Sequence, residues 1–150
     1  MSDEGFGQEA KTVDGWNKKS VGVGVCVLIE KDGRVALIKR KGAHGAGTWA
    51  TPGGHIDFGE TIVGAAGREV DEEVGLKIAG LLIMGLTEDF FESEDRHYLT
   101  IWFQAKWISG ELPESGEEFS QSGWFDLRDL PEPLFLPLQK LKDGKLIQSL

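Results

Sequence analysis

Cysteine is almost missing from this chain: Cys26 is the only one among 150 residues, so no disulfide can form within it. A single thiol inside an apolar run reads as a buried structural group, because cysteine is among the most buried residue types. Without disulfides, a reduced and cytoplasmic setting is the default expectation. Positive charge is also scarce. Sixteen Lys and Arg stand against twenty-five Asp and Glu, a formal net charge of −9. A protein that grips a nucleic-acid polymer needs a basic footprint, and this balance excludes one. An acidic protein can still hold a small polyanion if cations sit between the two, so a phosphate ligand here would imply bound metal. Long apolar runs are lacking as well. None nears the ~20 residues that cross a bilayer, and residues 1–20 are too polar for a signal peptide. No membrane partner is expected. What is present suits one globular domain with one core, at 40% hydrophobic and 27% charged residues.

Residues 1–19 lack periodicity and read as a flexible extension, leaving 20–150 as the folded domain. The run 21–29 is β-branched and apolar, a buried strand. Lys31-Asp32-Gly33-Arg34 supplies turn chemistry, and 35–38 reads as the hairpin partner. Residues 41–47 form a glycine-rich loop, and 49–52 lead into the most informative stretch. Beyond it, 81–86 reads as a strand. Residues 97–107 read as a long strand with His97, Leu99, Ile101, Phe103 and Ala105 on one face. Residues 109–123 read as loop and 124–127 as a short strand. A C-terminal helix over 136–141 tolerates Pro137 in its first turn. No internal repeat interrupts this order. Strands come first, with one helix in the middle and one at the end. That order predicts an α+β (α/β) fold, a mixed β-sheet sandwiched between helices in a single domain.

Residues 54–76 read GHIDFGETIVGAAGREVDEEVGL. Thr61 suits a helix N-cap, and Gly75 suits the left-handed residue that closes the helix. Between them Val63, Ala66, Val70 and Val74 recur at steps of three and four, an apolar stripe for packing. At about 100° per residue, Glu69 and Glu73 project about 40° apart, and Glu72 lies about 60° to the other side of Glu69. Three carboxylates therefore crowd one flank, while Asp71 points away. Such like-charge pairs cost roughly a few tenths of a kcal/mol each in an isolated helix. Gly64 and Gly67 each cost about a further 1 kcal/mol relative to Ala. An exposed acidic face would account for the glutamates alone, but local rules broken together point to function. Grouped oxygen ligands suit hard divalent cations. Mg²⁺ in particular takes one or two carboxylates together with water and substrate phosphate.

The full spacing runs Gly54, five residues, Glu60, seven residues, then Arg68-Glu69-Val70-Asp71-Glu72-Glu73-Val74-Gly75-Leu76. It resembles the Nudix box at every specified position. Residues 21–24, 40–42, 45–47, 52–61 and 124–138 extend the likeness to MutT-like nucleotide diphosphatases. The resemblance implies a Nudix fold over 20–150, hydrolysis of a phosphoanhydride bond with Mg²⁺ or Mn²⁺, and a homodimer. It makes Glu69 and Glu73 the principal metal ligands, with Glu72 assisting as ligand or base. Family members differ in the base, which leaves Glu69, Glu72 and a loop acid open. The Gly54 carbonyl is a further ligand. Glu117, with Glu118 as the alternative, is the loop acid, although Ser120-Gln121-Ser122-Gly123 departs from relatives there. Glu60 and Arg68 form a structural ion pair between loop and helix.

Arg40, after the second strand, is the candidate for a bidentate grip on phosphate; a solvated basic residue beside Lys39 and Lys41 is the alternative. Trp49, His97 and Phe135 are candidates to line a base pocket, where aromatic stacking is worth about 1–3 kcal/mol per base. Each also suits a packed core. Leu136 stands where relatives carry tryptophan. His44 and His55 lie in loops within range of a phosphate. Three readings follow. The leading one hydrolyses nucleoside triphosphates, oxidised or non-standard dNTPs included, to the monophosphate and pyrophosphate. A second keeps the chemistry on another X-linked diphosphate, such as ADP-ribose or a prenyl diphosphate. A third is a non-catalytic nucleotide sensor, a role in which box carboxylates are usually lost, whereas this chain keeps all of them.

Overall fold

A hairpin opens the fold. β1 (Gly22–Lys31) and β2 (Arg34–Arg40) pair across Asp32 and Gly33, whose φ values of 52° and 78° are the two positive angles such a tight turn demands. The computed structural model describes residues 19–149. Of the expected extension only Lys19 falls among them, ion-paired with Asp95; the remainder lies outside the described residues.

β3 (Trp49–Ala50), β4 (Gly53–His55), β5 (Lys77–Phe91), β6 (Arg96–Ser109) and β7 (Phe119–Asp126) complete a seven-stranded sheet of order β3-β2-β1-β6-β5. β4 pairs with β1 off this path and β7 with β2. β1 and β6 run parallel while the other pairs are antiparallel, so the sheet is mixed. Alternation along β1 sends Val25, Val27 and Ile29 to one face and Leu28 to the other. Helix α1 (Ile62–Glu73) covers the first face through Val70 over Phe103 and Phe119. Helix α2 (Leu136–Lys142) covers the second, where Leu138 joins Leu37, Trp49 and Trp102.

The Thr61 hydroxyl accepts from the Gly64 N–H at 3.0 Å and caps α1. Gly75, at φ 65°, donates back to the Val70 and Asp71 carbonyls and ends it. Of the expected stripe Ala66, Val70 and Val74 are buried, and Val63 is the exception. Val63 is 50% exposed, and Ala65, Ala66, Glu69 and Val70 are the residues turned inward. Two alanines let the helix sit close to the sheet, and that approach carries Glu69 into the protein.

Two strands run furthest past their expected bounds. β7 begins at Phe119, inside the expected loop, because it pairs with all of β2 across a shift at Lys39/Arg40; cross-strand partners override the polar Ser-Gln-Ser-Gly stretch. β5 runs to Phe91 through register shifts that include Gly85, where a Cβ would stand 2.3 Å from the Ile147 carbonyl oxygen. Only glycine lets the C-terminal segment exchange backbone hydrogen bonds with Leu86.

Candidate active site

Arg68 organises the loop before α1. Its Nε donates to Glu60 Oε2 at 2.6 Å, and its second terminal nitrogen donates to Glu60 Oε1 at 2.9 Å and to the His55 carbonyl at 3.0 Å. The guanidinium holds the Glu60 carboxyl down at about 2, far below its ordinary range, with help from the Asp57 N–H. The remaining terminal nitrogen reaches Glu69 Oε1 at 2.9 Å and Glu72 Oε2 at 3.2 Å. With Asp57 Oδ2 also 3.5 Å away, one cation ties four carboxylates to a backbone carbonyl.

Glu69 is only 3% exposed, and burial pushes its carboxyl above the usual range against the pull of Arg68. Glu73 is pushed up to about 7, chiefly by burial and then by the Glu69 charge. Its Oε1 accepts from the Gly53 N–H at 3.3 Å. That contact requires glycine, since a Cβ at position 53 would lie 2.2 Å from the Val25 carbonyl oxygen. Across a hollow from Glu69, Glu72 and Glu73 stand Glu117 and Glu118 of the β6–β7 loop. Asp71 is exposed on another side of the helix.

The donors around this hollow are carboxylate oxygens in excess of the cations among them, a set whose chemistry fits a hard divalent ion. In this conformation no three acidic, imidazole or thiol groups converge on one point among the described residues. Arg68 holds Glu69 and Glu72, so a cation would have to draw those oxygens from the guanidinium.

A second hollow, lined by Arg40, Lys41, His44, Glu73 and Glu117, shares the last two with the acidic one. Arg40 and His44 also border a cleft whose floor is Gly24, Cys26 and Thr100 and whose walls include Phe91, Tyr98 and Phe135. The Arg40 guanidinium lies 4.1 Å from the centre of the Phe135 ring, and its Nε donates to the His44 carbonyl at 3.1 Å. His44 is 7% exposed, packs against Phe91 at 4.6 Å, and bonds through Nδ1 to Glu94 Oε2 at 2.6 Å. The glycine-rich loop is therefore fastened over the cleft and onto the β5–β6 turn. Burial pushes the Cys26 thiol up to about 12, so it stays protonated at neutral pH.

Arg40, Glu69, Glu72, Glu73, Glu117 and Phe135 line three neighbouring hollows that share Arg40, His44, Glu73 and Glu117, with His55 on the cleft. Other expected residues stand elsewhere. Trp49 is 8% exposed and packs edge-on to Phe125 at 5.1 Å in the second core. His97 pairs in register with Phe90 and stacks on it at 4.2 Å, so alternation turns Tyr98 toward the cleft in its place. Gly54 lines the cleft beside Gly24 rather than the acidic hollow. Tyr98, Thr100 and Phe91 were not expected. Tyr98 and Thr100 alternate with the His97 face of β6, and Phe91 lies beyond the expected end of β5, so placing them required the register of the two strands.

The NUDIX domain family model matches residues 18–149. An ADP-ribose pyrophosphatase of Methanocaldococcus jannaschii is 38% identical over 127 residues, 81% of this chain and 71% of that protein. An oxidized purine nucleoside triphosphate hydrolase of Danio rerio is 39% identical over 105 residues, 70% of this chain and 66% of that protein. A crystal structure of a MutT NUDIX hydrolase from Burkholderia pseudomallei superposes with a TM-score of 0.77 at 32% identity, covering 83% of this chain and 97% of that one. Family model, relatives and fold agree with a box complete from Gly54 to Leu76, and the chain belongs to the Nudix hydrolases, enzymes that generally use divalent metal ions.

Proposed function

We propose that this chain hydrolyses nucleoside triphosphates, oxidised or non-standard ones included, to the monophosphate and pyrophosphate. The observation that carries the reading is the adjacency of the hollows: Arg40 and His44 border both the aromatic cleft and the hollow lined by Glu73 and Glu117. A nucleotide has the same build, a flat apolar ring at one end and a polyanion at the other. Phe135 and Tyr98 flank the base. Arg40 offers its terminal N–H donors to a phosphate oxygen, a charge-assisted contact. Glu69, Glu72, Glu73 and Glu117 would hold Mg²⁺, or Mn²⁺, which when bound supplies charge neutralisation at phosphorus and a more acidic water. A carboxylate among Glu69, Glu72 and Glu117 takes the proton of the attacking water. Glu60 and Arg68 position these groups without touching substrate.

A second reading, hydrolysis of ADP-ribose, draws on the archaeal relative's name and uses the same hollows. No described helix is long and apolar enough to cross a membrane. The homodimer has support in Leu82 and Ile83, each 59% exposed on edge strand β5. The test of function is phosphorus NMR of products from dNTPs, oxidised dNTPs, ADP-ribose and geranyl diphosphate, with Mg²⁺ and with a chelator. Release of pyrophosphate from a triphosphate only with Mg²⁺ is the expected result. Turnover of ADP-ribose alone selects the second reading, and turnover of geranyl diphosphate alone selects the prenyl-diphosphate form of the X-linked alternative and rejects the nucleotide readings.

A further inference from the structure

Beside the cleft floor lies a buried carboxylate that the proposed chemistry does not use. Asp89, on β5, is fully buried. Its Oδ2 accepts from the Thr100 hydroxyl at 2.6 Å and from the Thr87 hydroxyl at 3.3 Å, and its Oδ1 has no partner among the described residues. A buried oxygen left unpaired costs stability, so the fold alone gives no reason for a carboxylate here.

The network has a fixed direction. The Trp102 indole is a donor only, and it gives its N–H to Thr87 Oγ1 at 3.1 Å. Thr87 therefore spends a lone pair on Trp102 and its proton on Asp89. Thr100 spends its proton on Asp89 as well, at a length typical of a hydroxyl on a carboxylate. Only Thr100 of these four lines the cleft. With its proton spent on Asp89, its oxygen has lone pairs and no proton left for a ligand. The direction holds for the ionised carboxylate, whose Oδ2 accepts from both hydroxyls while Oδ1 is left without a partner among the described residues.

We infer that Asp89 is a positioning residue for substrate selection, locking Thr100 as a hydrogen-bond acceptor so that the cleft favours a base presenting an N–H donor, such as an exocyclic amino group. The inference rests on the cleft being the base site. A base edge lacking a donor would leave Thr100 desolvated and unpaired, and a base carrying only an acceptor there would meet lone pairs with lone pairs.

The experiment uses the purified full chain with Mg²⁺ and substrate pairs that differ by one amino group. These are ATP against purine riboside triphosphate, CTP against 2-pyrimidinone riboside triphosphate, and ADP-ribose against its purine analogue. Wild type is expected to favour the amino member of at least one pair by about tenfold in kcat/KM, the size of one hydrogen bond, expressed in KM. Thr100→Val removes the acceptor and abolishes the preference. Asp89→Ala frees the Thr100 proton and reduces the preference. Asp89→Asn restores it, because the amide oxygen can take both hydroxyls. Hydrolysis of both members of every pair at equal efficiency overturns the inference and leaves the proposed function standing. So does a preference that survives in Thr100→Val. Turnover of no base-bearing substrate, with geranyl diphosphate hydrolysed, overturns the function and the inference together.

Discussion

Replacing Glu73 by Gln is expected to stabilise the metal-free protein while removing its activity. In the fold, burial lifts the Glu73 carboxyl from its ordinary 4.5 to about 7. At about 1.4 kcal/mol for each pH unit, holding the ionised form costs up to about 3 kcal/mol. The folded value lies above the unfolded one, so the cost is absent below about pH 4.5, grows between 4.5 and 7, and is complete above 7. Glutamine keeps the shape and can still accept from the Gly53 N–H, but it carries no charge. Urea unfolding in a chelator at pH 8 and pH 4.5 reads the difference. The variant should gain up to about 3 kcal/mol at pH 8, or roughly 6–12 °C in Tm for a chain of this size, and nothing at the lower pH. Turnover with Mg²⁺ should be lost at both. An equal gap at the two pH values, or a variant less stable than wild type at pH 8, would refute the reasoning that this carboxylate is held ionised at a cost for function.

Other substitutions separate core from site. Trp49→Ala should cost about 3–5 kcal/mol in unfolding experiments, as a large-to-small change in a packed core. Trp49→Phe should leave the nucleotide KM unchanged, and a raised KM would return this residue to the pocket. Phe135→Ala should raise KM about 5- to 150-fold, the value of one stacked ring, with kcat little altered. Arg40→Ala should raise KM about tenfold or more through the loss of a charged hydrogen bond, with metal affinity intact by calorimetry; lost metal binding would mean that Arg40 supports the carboxylates instead.

Much of this was legible because its determinants are local. The Thr61 cap, the Gly75 stop and the Asp32-Gly33 turn each depend on a few adjacent residues, and the helix they bound carries the site. What could not be read depends on partners distant in sequence. Ala66, Val70 and Val74 face inward on α1 as expected but Val63 does not, because Ala65 takes its place against the sheet and close packing favours the smaller residue. His97 and Tyr98 are neighbours with equal claims on an aromatic site, and the pairing of β6 with β1 and β5 decides between them. Trp49 has the composition of a stacking platform, yet Phe125 and Leu138 from later elements enclose it. Asp89 gave no local signal at all, since its meaning comes from Thr100 on the neighbouring strand.

The central claim is that the glutamates of α1 gather a divalent cation for attack on a polyphosphate. Mn²⁺ binding followed by electron paramagnetic resonance, with turnover measured on the same samples, tests it most directly in Glu69→Gln and Asp71→Asn. The account predicts that Glu69→Gln loses both bound Mn²⁺ and activity, whereas Asp71→Asn, altered on the solvent side of the same helix, keeps both. Wild-type binding and turnover in Glu69→Gln would contradict it.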